Sequence, residues 1–467
     1  MADLTIRNLT IHPLELISVE RFEAKKEQTG DAITNTIGTI SSFLNATDFS
    51  SSKIVAKGDP HKKDNVSFKV DPFRVKQTDV RTADPSREVI RLVFKSQGKK
   101  YEIDVPSPNA KSATMKKLDG GSQELTAVYV ATGAVLAVLS SARLDAWMRE
   151  LHNDWPLQVL SIPGTHNSPT CHKALPSVRC QAVSVPDQLH NGVRFLDVRV
   201  SADPTDPNLS LVHSAFPISL TGTKYLAEML DDIYSFLEKN PSEVVIMSLK
   251  REGTGKGTDE NMGRHLKSNY VDKKTERWWT EPRVPRLGEA RGRIVLMRRF
   301  GIDGELRKCH GNKGFGIDAQ GWPDNCEDGK IGDGHIRVQD FYEVTESQNV
   351  EKKIEFSRGQ LERAASQHYS IEGERKREQP PPFFMNFLTA SNFFSASCWP
   401  ERIAAKVNPA IVEYLCIKHG EDGKGPRKLK VGSGGAGVVV TDWVGAHDDW
   451  DLIRCVVGMN ARLQLKR

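Results

Sequence analysis

The sequence has no long apolar run. Its most apolar stretch, LTAVYVATGAVLAVLSS at 125–141, carries Gly133 in its middle and falls short of the ~20 residues a membrane-spanning helix needs. It reads better as a strand pair or a strand-to-helix junction. No CxxC pair occurs among the seven cysteines (Cys171, Cys180, Cys309, Cys326, Cys398, Cys416, Cys455), which argues against a zinc ribbon. A disulfide between Cys171 and Cys180, or Cys309 and Cys326, would need an oxidising setting, and thiols in a reducing compartment are the favoured reading. Nor is there an excess of one charge. The 65 basic and 60 acidic residues leave +5, which argues against a dedicated nucleic-acid binder but leaves room for a local basic patch facing anionic lipid. The start, MADLTIRNLTIHPLELISVERFE, lacks the basic opening and apolar block of a signal peptide. The expectation is a cytoplasmic or leaderless chain, with no transmembrane segment, that meets a membrane surface at most transiently.

At 467 residues with 38% apolar content, the chain is long enough for two or three domains with real cores. Residues 1–140 alternate apolar and polar side chains, as at Val66/Phe68/Val70 and Tyr101/Ile103/Val105. The segment EVIRLVFKSQGKKYEIDV has a turn at Gln97-Gly98 between two strand-like arms. This predicts an all-β, sandwich-like N-terminal domain over 1–140 of unknown role. Inside it, the Ser/Thr/Asn-rich stretch 34–53 reads as a mobile loop.

From 141 to 467 the rhythm becomes strand, loop, helix. Apolar runs recur at 194–200, 209–214, 244–250, 292–300, 335–342, 382–388 and 436–445, with a helical pattern at 349–368. A further helix is predicted through Leu226, Met229, Leu230, Ile233 and Leu237, capped by Thr221 or Thr223. Leu157, Val159, Leu160 and Ile162 read as another buried strand, stopped by Pro163-Gly164. The charged 372–382 and the Gly-rich 432–437 read as connectors. About eight apolar strands with helices or long loops between them predict an α/β fold, a TIM-like (β/α) barrel of regular or irregular form.

Polar residues recur at the ends of these strands: His166 and Asn167, then Asp197 and Arg199, His213, Lys250, Arg298 or Arg299, Asp340 with Tyr342, and Asp442. In a barrel the C-terminal strand ends converge on one mouth, so two histidines, several cations and two or three carboxylates would share a site. That set suits a phosphodiester. One imidazole can take a proton from an attacking hydroxyl while another protonates the leaving oxygen. A guanidinium offers parallel donors to phosphate oxygens, and an aspartate holding an imidazole sets its tautomer.

Taken in order, SIPGTHNS, GVRFLDVRV, LVHS, NPSEVVIMSLK, RGRIVLMRRF and VVTDWVG resemble the phosphatidylinositol-specific phospholipases C of the bacterial and fungal X-domain type. The likeness covers roughly 150–460 and leaves 1–140 outside. It implies a catalytic barrel in which His166 is the general base for the inositol 2-hydroxyl, held by Asp442. Arg199 would bind the phosphate and His213 would be the acid for the diacylglycerol oxygen. Lys250, Arg299, Asp340 and Tyr342 would grip the inositol ring. One departure concerns Asn167. Bacterial members have an aspartate there that assists the acid, and the calcium-dependent eukaryotic relatives have an asparagine that ligates metal. Those relatives place carboxylates at the positions of Asp197, Arg199 and Lys250, two of which are cations here. A divalent ion would face that repulsion, so the resemblance implies a reaction with no metal and no cofactor. Its products would be inositol 1,2-cyclic phosphate and diacylglycerol.

Two other readings stand beside it. One is a glycerophosphodiesterase or sphingomyelinase-D-like barrel, which would hold a metal near its first histidine. The other is a catalytically weak lipid-binding module, with Asn167 in its favour. For contact with lipid, Phe384 and Phe387 read as wall residues, while NFFSASCW at 392–399 reads as either packing or a rim loop that dips into the membrane.

Overall fold

Runs such as Val245–Arg251 and Ile294–Arg298 show no polar alternation because they are covered on both faces; every residue of Ile294–Arg298 is buried. The computed structural model describes residues 2–28, 52–84, 86–106, 112–121, 123–141, 143–344, 347–372 and 379–465. Nearly all of the predicted loop at 34–53, and 373–378 of the charged connector, lie outside the described residues. The chain divides into two units, one of residues 1–140 with 447–451 and one of 141–446 with 452–467.

The first unit is built from two five-stranded sheets. One runs Val75–Arg81, Asp3–Leu9, Val135–Ser141, Glu124–Val130, Ser112–Thr114. The other runs Ser52–Val70, Leu14–Gln28, Glu88–Ser96, Lys99–Val105, Lys116–Lys117. Side chains of both sheets, among them Ile6 and Val138 from one and Leu16 and Phe94 from the other, share a single buried cluster. The hairpin at 88–105 turns where expected. Gln97 (φ 48°) and Gly98 (φ 77°) both adopt the left-handed conformation that lets a two-residue turn match the strand twist.

The second unit is mixed α/β. Its main sheet runs Trp278–Trp279, Ile294–Arg298, Val245–Arg251, Phe195–Ser201, Ile162–Thr165, Val438–Thr441, Phe383–Phe387, Ile336–Asp340, Cys326–Ile331. All neighbours are parallel except the last pair, which is antiparallel. Among the described residues no pairing joins the two ends of this path. The sheet nevertheless curls, since Arg299, just past the second strand of this path, and Asp340, in the second strand from its other end, line the same cavity. Helices Leu226–Lys239, Ser347–Ala365 and Pro400–Ile417 belong to this unit.

Two local expectations are corrected. Leu157–Val159 forms a short 3₁₀ turn, and the strand is Ile162–Thr165, with Pro163 and Gly164 inside it. Pro163 fits because its carbonyl is what the neighbour uses, accepting from the Arg194 N–H at 2.9 Å. Gly164 lets the strands approach closely: a Cβ there would stand 3.0 Å from Phe195 Cβ and 3.2 Å from its carbonyl oxygen, tighter than ordinary contact. The helix at 226–239 starts after Tyr225 with no side-chain cap, so neither Thr221 nor Thr223 caps it. The Leu209 carbonyl meets the Leu226 N–H instead, at 2.9 Å. No disulfide joins any of the seven cysteines, so neither candidate pair is bridged.

Candidate functional site

Ladder bonds that continue past the strand ends deliver the site. The His166 N–H donates to the Thr441 carbonyl at 3.1 Å, so the first residue beyond one strand is clamped to the end of its neighbour. Asn167 then turns the chain with φ 42°, a left-handed conformation asparagine tolerates. Its N–H donates to Asp197 Oδ2 at 3.2 Å on the other neighbouring strand. Gln181 closes the junction, donating to the His166 carbonyl at 2.7 Å and the Thr441 carbonyl at 3.1 Å.

His166 Nδ1 lies 3.0 Å from Asp442 Oδ1. The carboxylate is 2% exposed and accepts the Nδ1 proton, so in the neutral ring Nε2 holds the lone pair. His213, at the end of Ser210–His213, places Nδ1 2.7 Å from the Val178 carbonyl. A carbonyl only accepts, so Nδ1 carries a proton and Nε2 is the atom left for exchange. The two imidazoles stand edge to face with centroids 5.8 Å apart. Beneath them lies the buried thiol of Cys180, with Sγ 3.7 Å from His213 Nδ1 and 4.0 Å from Asn167 Nδ2.

These groups shift one another. Burial alone would depress His166, but the Asp442 carboxylate and the Cys180 sulfur override it and raise the imidazole to about 10. Burial and Asp442 push the Cys180 thiol up, yet His213 and His166 bring it down to about 7. His213 is raised against its burial, chiefly by Cys180.

A cationic wall faces the histidines. The Arg199 guanidinium is held by Asp197 Oδ2 (3.3 Å from Nε, 3.2 Å from Nη2) and Glu252 Oε1 (2.8 Å from Nη1). Lys250 Nζ shares Glu252 Oε1 at 2.8 Å. Burial opposes the charge on both acids, but Arg199 foremost holds Asp197 well below the carboxylate range and, with Lys250, Glu252 at about 2. Arg299 reaches Asp197 Oδ1 at 3.4 Å and lies 3.8 Å over the Trp322 ring, whose Nε1 donates to Asp340 Oδ2 at 2.9 Å. Tyr342 Oη donates to Asp324 at 2.7 Å, and that bond, with burial, lifts the phenol to about 12.

The structure brings His166, Arg199, His213, Lys250, Arg299, Asp340 and Tyr342 onto one cavity of about 550 Å³. Asn167 and Asp442 stand behind His166. Reading by strand ends missed Glu252, Cys180 and Trp322. Glu252 was findable, since it follows Lys250 at the two-residue spacing of one strand face; Cys180 and Trp322 lie in irregular segments with no periodic signal. At the mouth, Phe393 lines the cavity and stacks on Phe216 (5.4 Å between centroids, 8° between planes), while Phe394 is 95% exposed. Phe384 and Phe387 are buried in the wall. No described helix is long and apolar enough to cross a membrane.

Residues 154–300 match the family model described as phosphatidylinositol-specific phospholipase C, X domain. The chain is 32% identical over 168 residues to the 1-phosphatidylinositol phosphodiesterase of Listeria monocytogenes, a match covering 34% of this chain and 50% of that protein. It therefore spans about half the length of that relative. It is 28% identical over 284 residues to the Staphylococcus aureus (strain Newman) protein of the same name, covering 58% of this chain and 83% of the relative. A crystal structure of a pentafluoro-Phe variant of the Staphylococcus aureus phosphatidylinositol-specific phospholipase C shares the fold, with TM-score 0.52 and 22% identity over 68% of this chain and 97% of that one. The structural likeness covers a larger share of the chain than the 154–300 of the family match.

Proposed function

We propose that this chain is a phosphatidylinositol-specific phospholipase C that cleaves the glycerol–phosphate ester of inositol phospholipids without a metal. The observation that carries it is the pair of perpendicular imidazoles, 5.8 Å apart, in one cavity with the Arg199 guanidinium. His166 Nε2 takes the proton of the inositol 2-hydroxyl, and the oxygen attacks phosphorus within the same molecule, where no second reactant has to be captured. Arg199, fixed by Asp197 and Glu252, meets the negative charge growing on the phosphate oxygens. His213 Nε2 protonates the departing diacylglycerol oxygen, giving inositol 1,2-cyclic phosphate. With water in place of the glycerol oxygen the same pair runs in reverse and opens the cyclic ester.

Lys250, Arg299, Asp340 and Tyr342 are assigned to the inositol hydroxyls, and Asn167 stands against the base as a neutral amide, 3.2 Å from His166 Nε2. Three cations on the wall oppose a hard divalent ion there. The fold reading is an irregular TIM-like barrel, supported by the largely parallel sheet, since residues near both of its edges line one cavity. Catalysis is assigned to 141–467, and 1–140 receives no role. Phe216, Phe393 and Phe394 are assigned to transient contact with the bilayer that holds the substrate.

The test is release of water-soluble inositol phosphate from phosphatidylinositol vesicles in excess EDTA. Cyclic phosphate from the wild type, lost in His166→Ala and His213→Ala, is the expected result. Activity that appears only with added calcium would overturn the role of Arg199, and no product in either condition would overturn the reading itself.

A further inference from the structure

We propose that His166, Cys180 and Asp442 form a binding site for a thiophilic divalent cation of the zinc type, and that such a cation inhibits the chain. One ligand atom from each residue lies within 4.8 Å of the other two. They arrive from separate segments: the turn after Ile162–Thr165, the irregular stretch before Val185, and the end of Val438–Thr441. The donor set is one imidazole nitrogen, one sulfur and one carboxylate oxygen. Sulfur and imidazole select zinc-like ions over calcium or magnesium.

A buried polar side chain stands beside the cluster. Asn167 is 1% exposed, and its Oδ1 has no hydrogen-bond partner. Its amide nitrogen, a donor, lies 3.2 Å from His166 Nε2 and 4.0 Å from Cys180 Sγ, so the amide borders two of the three candidate ligands. Ligand atoms round a tetrahedral zinc stand about 3.3–3.7 Å apart. The cluster needs side-chain shifts of about 1 Å to close on the ion.

Thiolate and carboxylate together balance the dication. Arg199, the nearest strong cation on the opposite wall, is already paired with Asp197 and Glu252. Binding releases the thiol proton, and any imidazole proton, to solvent. The ion enters through the cavity that His166 lines. Once it holds one ring nitrogen of His166, the other carries the ring proton, so the imidazole no longer serves as the base of the proposed reaction and the ion blocks it. The inhibitory half of this inference rests on the phospholipase reading; the binding half does not.

The experiment uses the full chain freed of metal, with Cd²⁺ as probe and Zn²⁺ as inhibitor. Wild type is expected to bind one Cd²⁺ with an ultraviolet sulfur-to-cadmium charge-transfer band that Cys180→Ser and Cys180→Ala lack. Cys171→Ala, altered outside the cluster, keeps the band. Loss of the Cys180 ligand is expected to weaken Zn²⁺ inhibition at least about tenfold, each Cys180 variant being read against its own metal-free rate. His166→Gln supplies a second variant that keeps the thiol, and it should retain a band at reduced affinity. A band that survives in both Cys180 variants overturns the site. So does Zn²⁺ inhibition equal in wild type and Cys180→Ser. Cd²⁺ bound through Cys180 with no lipase activity in any form would uphold the site and sink the phospholipase reading, and metal-insensitive lipase activity would do the reverse.

Discussion

Replacing Asp442 by asparagine keeps the shape of the side chain and removes its charge from a point 3.0 Å from His166 Nδ1. Two limits bracket the effect. A charge-assisted hydrogen bond is worth about 1.5–3 kcal/mol, and the bare Coulomb term at that 3.0 Å spacing is about 5.5 kcal/mol for an effective dielectric of about 20. At about 1.4 kcal/mol per tenfold, kcat is expected to fall between roughly 10-fold and 10⁴-fold. The upper end applies if the asparagine amide donates to Nδ1, because the ring proton then sits on Nε2 and the base is lost. The pH profile separates this from a general loss of structure. Asp442 is the foremost of the groups that raise His166 to about 10. A base is inactive while protonated, so the acidic limb of kcat/KM must move to lower pH in Asp442→Asn. The other charged or titratable groups facing the ring, Cys180, Asp197 and His213, are unchanged by the substitution. Inositol phosphate release would be followed across pH for both proteins, with unfolding midpoints as a control. An unchanged kcat, or a limb displaced to higher pH in a folded variant, would refute the reasoning.

Lys353 is fully buried, with Nζ 3.1 Å from Gln339 Oε1, and burial brings it down to about 7. Its folded value lies below the unfolded one, so its penalty is complete below about pH 7 and fades as pH rises toward about 10.4. Lys353→Met should therefore raise the urea midpoint at pH 6 and lose that advantage by pH 10; a pH-independent difference would refute the assignment. Arg194, also fully buried, bonds Glu243 and the carbonyls of Leu189, Val193, Leu144 and Asp145. Arg194→Leu strands Glu243 without its partner and should cost about 3–5 kcal/mol, read as a thermal shift; a change of under about 1 kcal/mol would contradict it. Phe394→Ser should weaken sedimentation with phosphatidylinositol vesicles by about tenfold, the loss of roughly one ring from lipid, with no change in thermal midpoint. Equal partitioning of the two proteins would remove Phe394 from the membrane contact.

What the sequence makes legible here follows from the period of each element. Phe195–Ser201, Val245–Arg251 and Ile294–Arg298 are read correctly because strands buried on both faces leave uninterrupted apolar runs, and the cavity residues Arg199, Lys250 and Arg299 lie within two positions of their ends. His166 and Asp442 are 276 positions apart in the chain, yet both sit one step past a strand end, and strand ends of a parallel sheet share one side. That rule predicts convergence without predicting any distance. It fails where geometry depends on a neighbour. Pro163 and Gly164 look like breakers until Phe195 is placed, because only the approach of that strand shows why a residue without a Cβ lies inside the ladder. Cys180 is the sharper case. No period runs through the stretch that carries it, and its place under both histidines is set by bonds of the fold, the Cys180 N–H to Thr170 Oγ1 at 3.1 Å and the Trp443 N–H to the Cys180 carbonyl at 2.8 Å. A thiol that reads in sequence as one of seven scattered cysteines therefore lies where it raises both imidazoles, second to Asp442 at His166 and foremost at His213.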